Sequence, residues 1–192
     1  MKKILLAGIL SGILVFIWSA IAHMVLPIGE MGLKTIPHTE DAVLSAMKSN
    51  IQEPGLYFMP GFEMGRKQSE AEQKAFQAKY EAGPTAFLVY HPAGQKMLSP
   101  NQLIGEALFD ILCGLIAAFI VSTTSASLIK RGVMVMLMGL FAWLSISASY
   151  WNWYRFPGTY IIGEGLDQVI GWLLGGLVIA WILQRGEKNA IA

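Results

Sequence analysis

The chain has 192 residues, 54% hydrophobic and 14% charged, with a mean hydropathy of +0.50. That is too apolar for an ordinary soluble domain, so the surplus must face lipid. A formal net charge of +1 without a basic patch argues against nucleic acid or any other polyanion as a partner.

Uncharged runs long enough to cross a bilayer occupy Ile4 to Gly29, Ile111 to Ile129, Gly132 to Tyr154 and Gln168 to Gln184, since about 20 residues span the hydrocarbon. The predicted fold class is mainly α, a four-helix transmembrane bundle of two tandem helical hairpins. A small α+β extracytoplasmic insertion separates helices 1 and 2. The chain divides into a first span over residues 1–29, the insertion over 30–99, spans over 100–129, 132–154 and 160–184, and a tail over 185–192.

In the first span Gly8 and Gly12 share a helix face, a small-xxx-small spacing that lets another backbone come close. Gly171 and Gly175 repeat that spacing in the fourth span, which predicts a contact between the two. A cleaved signal peptide is the alternative for this segment, with Ala20-Ile21-Ala22 as its cleavage site. The uncharged run from Ile4 to Gly29 is longer than a signal core and favours a retained helix, ending near Pro27 to Gly29.

The insertion carries the punctuation of folded structure. Thr39 opens a helix through Asn50, with Glu40 and Asp41 complementing its positive end. Ser69 and Glu72 form a capping box, and Gly83-Pro84 closes the helix that follows. Leu56 to Met59 and Phe87 to His91 are β-prone runs bounded by Pro and Gly, positioned to pair. So few large aliphatic residues make a poor core, and the segment is expected to lie on the membrane or on a partner through Tyr57, Phe58, Met59, Phe62 and Met64. Ser99, Pro100 and Gln102 then start the second span at Pro100.

Ser122 to Ser127 supply hydroxyls that can bond back to the end of the second span. Lys2 and Lys3, Lys130 and Arg131, and Arg185 and Lys188 flank the spans on one side. By the positive-inside rule both termini are cytoplasmic, residues 30–99 are outside, and the setting is a bacterial inner (plasma) membrane. Tyr150, Trp151, Trp153, Tyr154, Phe156 and Tyr160 make an aromatic belt at the outer surface.

Two echoes organise the bundle. Ile104-Gly105-Glu106 with Asp110 opens the second span, and Ile162-Gly163-Glu164 with Asp167 opens the fourth. Phe16-Ile17-Trp18 in the first span is matched by Phe141-Ala142-Trp143 in the third. Repeats of this kind occur in transport proteins, and also arise from duplication without transport.

Glu106 and Asp110 share one helix face and Glu164 and Asp167 another, all at similar depth. His23 reaches the same level from the first span, and Arg155 lies in the turn nearby. Convergence of these six residues would make a polar or ion pocket that binds a cation, relays protons or holds a ligand. The competing structural reading is that acids in first helical turns are stabilised by the helix dipole and reach water. The methionines with His38 and His91 offer soft copper ligands at irregular spacing. Nothing in the sequence identifies a metal or a cofactor, and no nucleophile, base and oxyanion arrangement can be assembled.

The leading functional expectation is a non-enzymatic accessory or scaffold subunit of a larger membrane complex. Its partners would be the lipid bilayer and other membrane subunits or a second copy. A small transporter or ion- or proton-coupled protein using the carboxylate-histidine pocket is the alternative, followed by a membrane metal-binding protein or enzyme.

Overall fold

A computed structural model describes residues 1–191 of the chain, with side chains through residue 185. In chain order the elements are α1 (Lys2–Met24), α2 (Glu40–Asn50), β1 (Gly55–Met59), α3 (Glu70–Ala82), β2 (Ala86–Tyr90), α4 (Pro100–Ser122), α5 (Leu128–Ser145), α6 (Ser147–Tyr154) and α7 (Gly158–Ile191). They form two compact units, Thr35–Met97 and the remainder. The protein is mainly helical, with four helical segments long and apolar enough to span a membrane: Lys2–Met24, Pro100–Ser122, Leu128–Tyr154 and Gly158–Arg185.

In the helical unit α1 packs on α4, α5 packs on α7, and α1 also packs on α7, whereas α4 and α5 barely touch. Small residues set these contacts, because helices in lipid associate by close backbone approach rather than by a hydrophobic drive. A side chain added at Gly114 would run into the carbonyl of Gly8, and one added at Gly8 would lie 2.6 Å from the Leu115 backbone. Gly8 and Gly12 thus face α4. The expected contact between the first and fourth spans is present, but the residues of α1 opposite Gly171 and Gly175 are Ser11, Val15 and Trp18. A three-residue offset turns a helix by about 60° and separates these two faces.

Several boundaries differ from expectation for local reasons. The chain leaves α1 after Met24, before Pro27, and α4 stops at Ser122 rather than near Ile129. There Ser122 Oγ donates to the Phe119 carbonyl at 2.7 Å and Thr123 Oγ1 to that of Ile120 at 2.6 Å, satisfying last-turn carbonyls without further helix. Helix α5 starts at Leu128, which moves Lys130 and Arg131 from a connecting loop into its first turn. The third span breaks at Ile146, continues as α6, and is closed by Arg155 in the left-handed conformation at φ 60°. The fourth span stays helical to Ile191, past the expected end at 184; no proline interrupts it. Of the cations placed after it, Arg185 stacks over the Trp181 ring at 4.0 Å, and the Lys188 side chain lies outside the described residues.

In the Thr35–Met97 unit β1 and β2 pair antiparallel, with Tyr57 opposite Leu88 and Phe58 opposite Phe87. Helix α3 opens with the expected capping box, Ser69 N–H donating to Glu72 Oε2 at 2.8 Å, and closes at Gly83 with φ 68°. Arg66 holds the same glutamate, Nη2 to Oε1 at 2.6 Å, and also Glu63 at 2.6 Å. Thr39 caps α2 by position without a side-chain hydrogen bond. Phe58 stacks on Tyr80 and Phe62 meets Phe76 edge-on at 5.0 Å, so part of the aromatic run is used internally, while Met64 is 79% exposed. Only Pro60 and Tyr90 are buried in this unit.

Candidate functional site

The first turns of α7 carry Glu164 and Asp167 among glycines at 163 and 165. Those glycines admit neighbours. Ile28 and Met31, in the turns after α1, lie over Gly163, and the Trp143 indole lies over Gly165. Trp143 Nε1 donates to the Ile161 carbonyl at 2.8 Å, and Trp18 Nε1 donates to that of Asp167 at 3.1 Å. The two tryptophans of the first–third echo thus perform one task, each fixing the opening of α7 from its own helix.

Asp167 is the centre of the arrangement. Ser19 Oγ on α1 donates to its Oδ2 at 3.2 Å, and His23 Nε2, one turn further along α1, lies 3.7 Å from the same oxygen. Its side chain is 12% exposed and its Oδ1 has no hydrogen-bond partner among the described residues. The His23 ring abuts Gly29, where a side chain would collide with it. Glu164, one turn before Asp167, is hydrogen-bonded to Tyr160 and feels both His23 and Asp167 electrostatically.

Asp110 enters from α4. Its backbone carbonyl lies against Gly12 of α1, and its carboxylate interacts electrostatically with Glu106 and with Asp167. Its Oδ2 is buried without a hydrogen-bond partner among the described residues. Beside it a cavity of about 340 Å³ opens between α4 and α5, with Gln168 and Trp172 of α7 as its floor. Trp172 Nε1 donates to Gln168 Oε1 at 3.1 Å.

Five of the six candidate residues, His23, Glu106, Asp110, Glu164 and Asp167, therefore share one electrostatic neighbourhood. Arg155 stands apart from them: it is exposed at the end of α6 and makes no ion pair among the described residues. Among the described residues no three His, Cys, Asp or Glu side chains come together as a metal site, so a cation here would be held by one or two carboxylates with neutral oxygens. Four carboxylates with an imidazole and two hydroxyls have the composition of a proton relay or a monovalent-cation site.

Some contributors were not evident from sequence. Ser19 carries a faint signal, one turn from His23 on the same face. Tyr160 reads as an interfacial aromatic and Gln168 as the last polar residue before an apolar run. Arg131 reads as a cytoplasmic anchor, yet it is fully buried, with Nη2 donating to the Thr124 carbonyl at 2.6 Å. No family model, curated protein or solved structure matches the chain.

Proposed function

We propose that the chain is a small ion- or proton-coupled membrane protein whose carboxylate-histidine site takes up a proton or a monovalent cation. The observation that supports this best is a buried oxygen without a hydrogen-bond partner among the described residues on each of two neighbouring aspartates, Asp110 Oδ2 and Asp167 Oδ1. Buried polar atoms are nearly always hydrogen-bonded, and an exception calls for an explanation, among which are a bound ion and a catalytic role. Ionisable groups inside a membrane are costly to keep and are retained for ion pathways and proton relays.

In this reading both termini are cytoplasmic, residues 30–99 are extracytoplasmic, and the setting is a bacterial plasma membrane. Lysines and arginines at one end of the spans support that orientation. The bundle is two hairpins in tandem, α1 with α4 and α5 with α7, a plan supported by their pairwise packing and by the Ile-Gly-Glu echo.

Vesicles containing the purified protein and an internal pH-sensitive dye test the coupling. A sodium or potassium gradient should drive a pH change that Asp167→Asn abolishes while the protein still accumulates and runs as a single species. Equal signals from loaded and empty vesicles, for both cations, would sink the proposal. Orientation is tested separately in intact cells, where an impermeant thiol reagent should label Lys74→Cys but not Lys130→Cys in a Cys113→Ser background.

A second reading, an accessory subunit of a larger assembly, is favoured by one observation: with only Pro60 and Tyr90 buried, the Thr35–Met97 unit has too small a core to be comfortable alone. Co-purification of a stoichiometric partner in mild detergent supports it, and a lone monomer counts against it.

A further inference from the structure

We propose that the groove between α4 and α5 binds a membrane-partitioned cationic amphiphile, an aliphatic chain ending in an amine cation, with its head at Glu106 and Asp110 and its chain along Phe109, Ile116 and Trp172. This names a ligand class for the site and rests on the cation reading above.

The groove follows from the packing. Helix α4 leans on α1 and α5 on α7, so the space between α4 and α5 is left unfilled. Its volume of about 340 Å³ falls within the roughly 300–1,000 Å³ of small-molecule sites. From Glu106 to Ile116 the lining of α4 runs for about 15 Å at the helical rise, the length of an aliphatic chain rather than of a bare ion.

Charge complementarity selects the head. Two acids line the groove and, among the described residues, no basic side chain does. Gln168 Oε1 is already engaged by Trp172, so the carboxylates are the acceptors an incoming head meets. Glu106 is exposed at the groove wall and meets the head directly, while Asp110 Oδ2, closed off from solvent and without a hydrogen-bond partner among the described residues, acts on it through charge. The apolar wall alone cannot select an occupant in a bilayer, because lipid tails are as apolar as the wall. An amine cation adds charge-assisted hydrogen bonds that a neutral or anionic head cannot make.

Cys113 lines the same groove and is the only cysteine in the sequence, so its reaction with a membrane-permeant maleimide reports occupancy. In phosphatidylcholine vesicles at equal membrane loading, dodecylammonium should slow that reaction about tenfold more than dodecanol or dodecyl sulfate. Glu106→Gln and Asp110→Asn should each remove the difference. Met138→Trp, which fills the groove from α5, should slow labelling with no ligand present, and it keeps the test open if Asp110→Asn fails to fold. Equal protection by dodecylammonium and dodecanol would overturn the proposal, as would protection by neither. Because the readout is occupancy rather than flux, protection without cation-driven pH change sinks only the coupling reading, and the reverse result sinks only this one.

Discussion

Trp18 and Asp167 meet across the α1–α7 contact, the indole donating to the aspartate's backbone carbonyl at 3.1 Å while the adjacent Ser19 hydroxyl reaches its carboxylate at 3.2 Å. One helix thus holds both the backbone and the side chain of the residue at the centre of the site. A side-chain hydrogen bond between membrane helices contributes about 0.6–1.7 kcal/mol. Ser19→Ala should therefore lower thermal stability in detergent by an amount in that range, and Ser19→Thr should restore most of it. An unchanged melting temperature for Ser19→Ala would mean that the carboxylate is held by other means.

Backbone contact between α1 and α4 gives a steric prediction. A Cβ at Gly114 would collide with the Gly8 carbonyl, whereas at Gly105 it would meet nothing within 4 Å. Gly114→Val should destabilise by about 1–3 kcal/mol, as overpacked interiors do. Gly105→Ala on the same helix should be neutral or slightly stabilising, by up to about 1 kcal/mol, because alanine favours helix. Thermal unfolding of the two variants side by side decides it, and equal destabilisation would contradict the α1–α4 register.

Arg131 and Lys130 are neighbours with opposite fates, the first fully buried and the second exposed. Arg131 ties the start of α5 to the end of α4 through the Thr124 carbonyl. Arg131→Ala should cost about 1.5–3 kcal/mol or more, since a charge-assisted hydrogen bond and buried packing are lost together. Lys130→Ala should cost almost nothing. Protease sensitivity of the 123–127 connection, rising only in the first variant, is the companion readout.

In the Thr35–Met97 unit, the Arg66 guanidinium and the Ser69 backbone N–H hold the Glu72 carboxyl down to about 2 from an ordinary 4.5. A carboxyl depressed on folding contributes stability that is present above pH 4.5 and is lost as pH falls through about 2. A carbon-13 NMR titration of Glu72 in the full chain should place its midpoint near 2, and Arg66→Gln should move the midpoint up. The first turn of α3 should fray in the same window, because acid removes its cap.

The sequence made much of this legible where local chemistry decides. Capping boxes at Ser69 and Ser99 need only residues three apart, and both form as read. Long uncharged runs announce the spans, since their length is a bilayer constraint. What stayed hidden depends on azimuth and on partners distant in the chain. Gly8 and Gly171 share a spacing motif, but only packing reveals that they serve different neighbours. The depth of His23, Asp110 and Asp167 could be counted along their helices. Their grouping depended on how α1, α4 and α7 are rotated, which hydrophobicity repeated on every face of a span does not encode.

The relation between Asp110 and Asp167 gives the last prediction. They sit on different helices, α4 and α7, yet each carries a buried oxygen without a hydrogen-bond partner among the described residues, and Asp110 feels the charge of Asp167. If they hold one cation or proton between them, losing either removes the shared ligand, and losing the second adds nothing. Asp110→Asn, Asp167→Asn and the double variant should then show the same loss of cation-driven pH change, a non-additive cycle whose coupling energy is about as large as either single effect. Two independent acids would give single effects that add within about 0.5 kcal/mol. Thermal unfolding run in parallel separates the site from the scaffold. Asparagine keeps the shape of each side chain, so a shared functional site loses coupling at nearly constant stability. Additive losses of flux, or losses that follow stability across the three variants, would remove the basis for treating the two aspartates as one site.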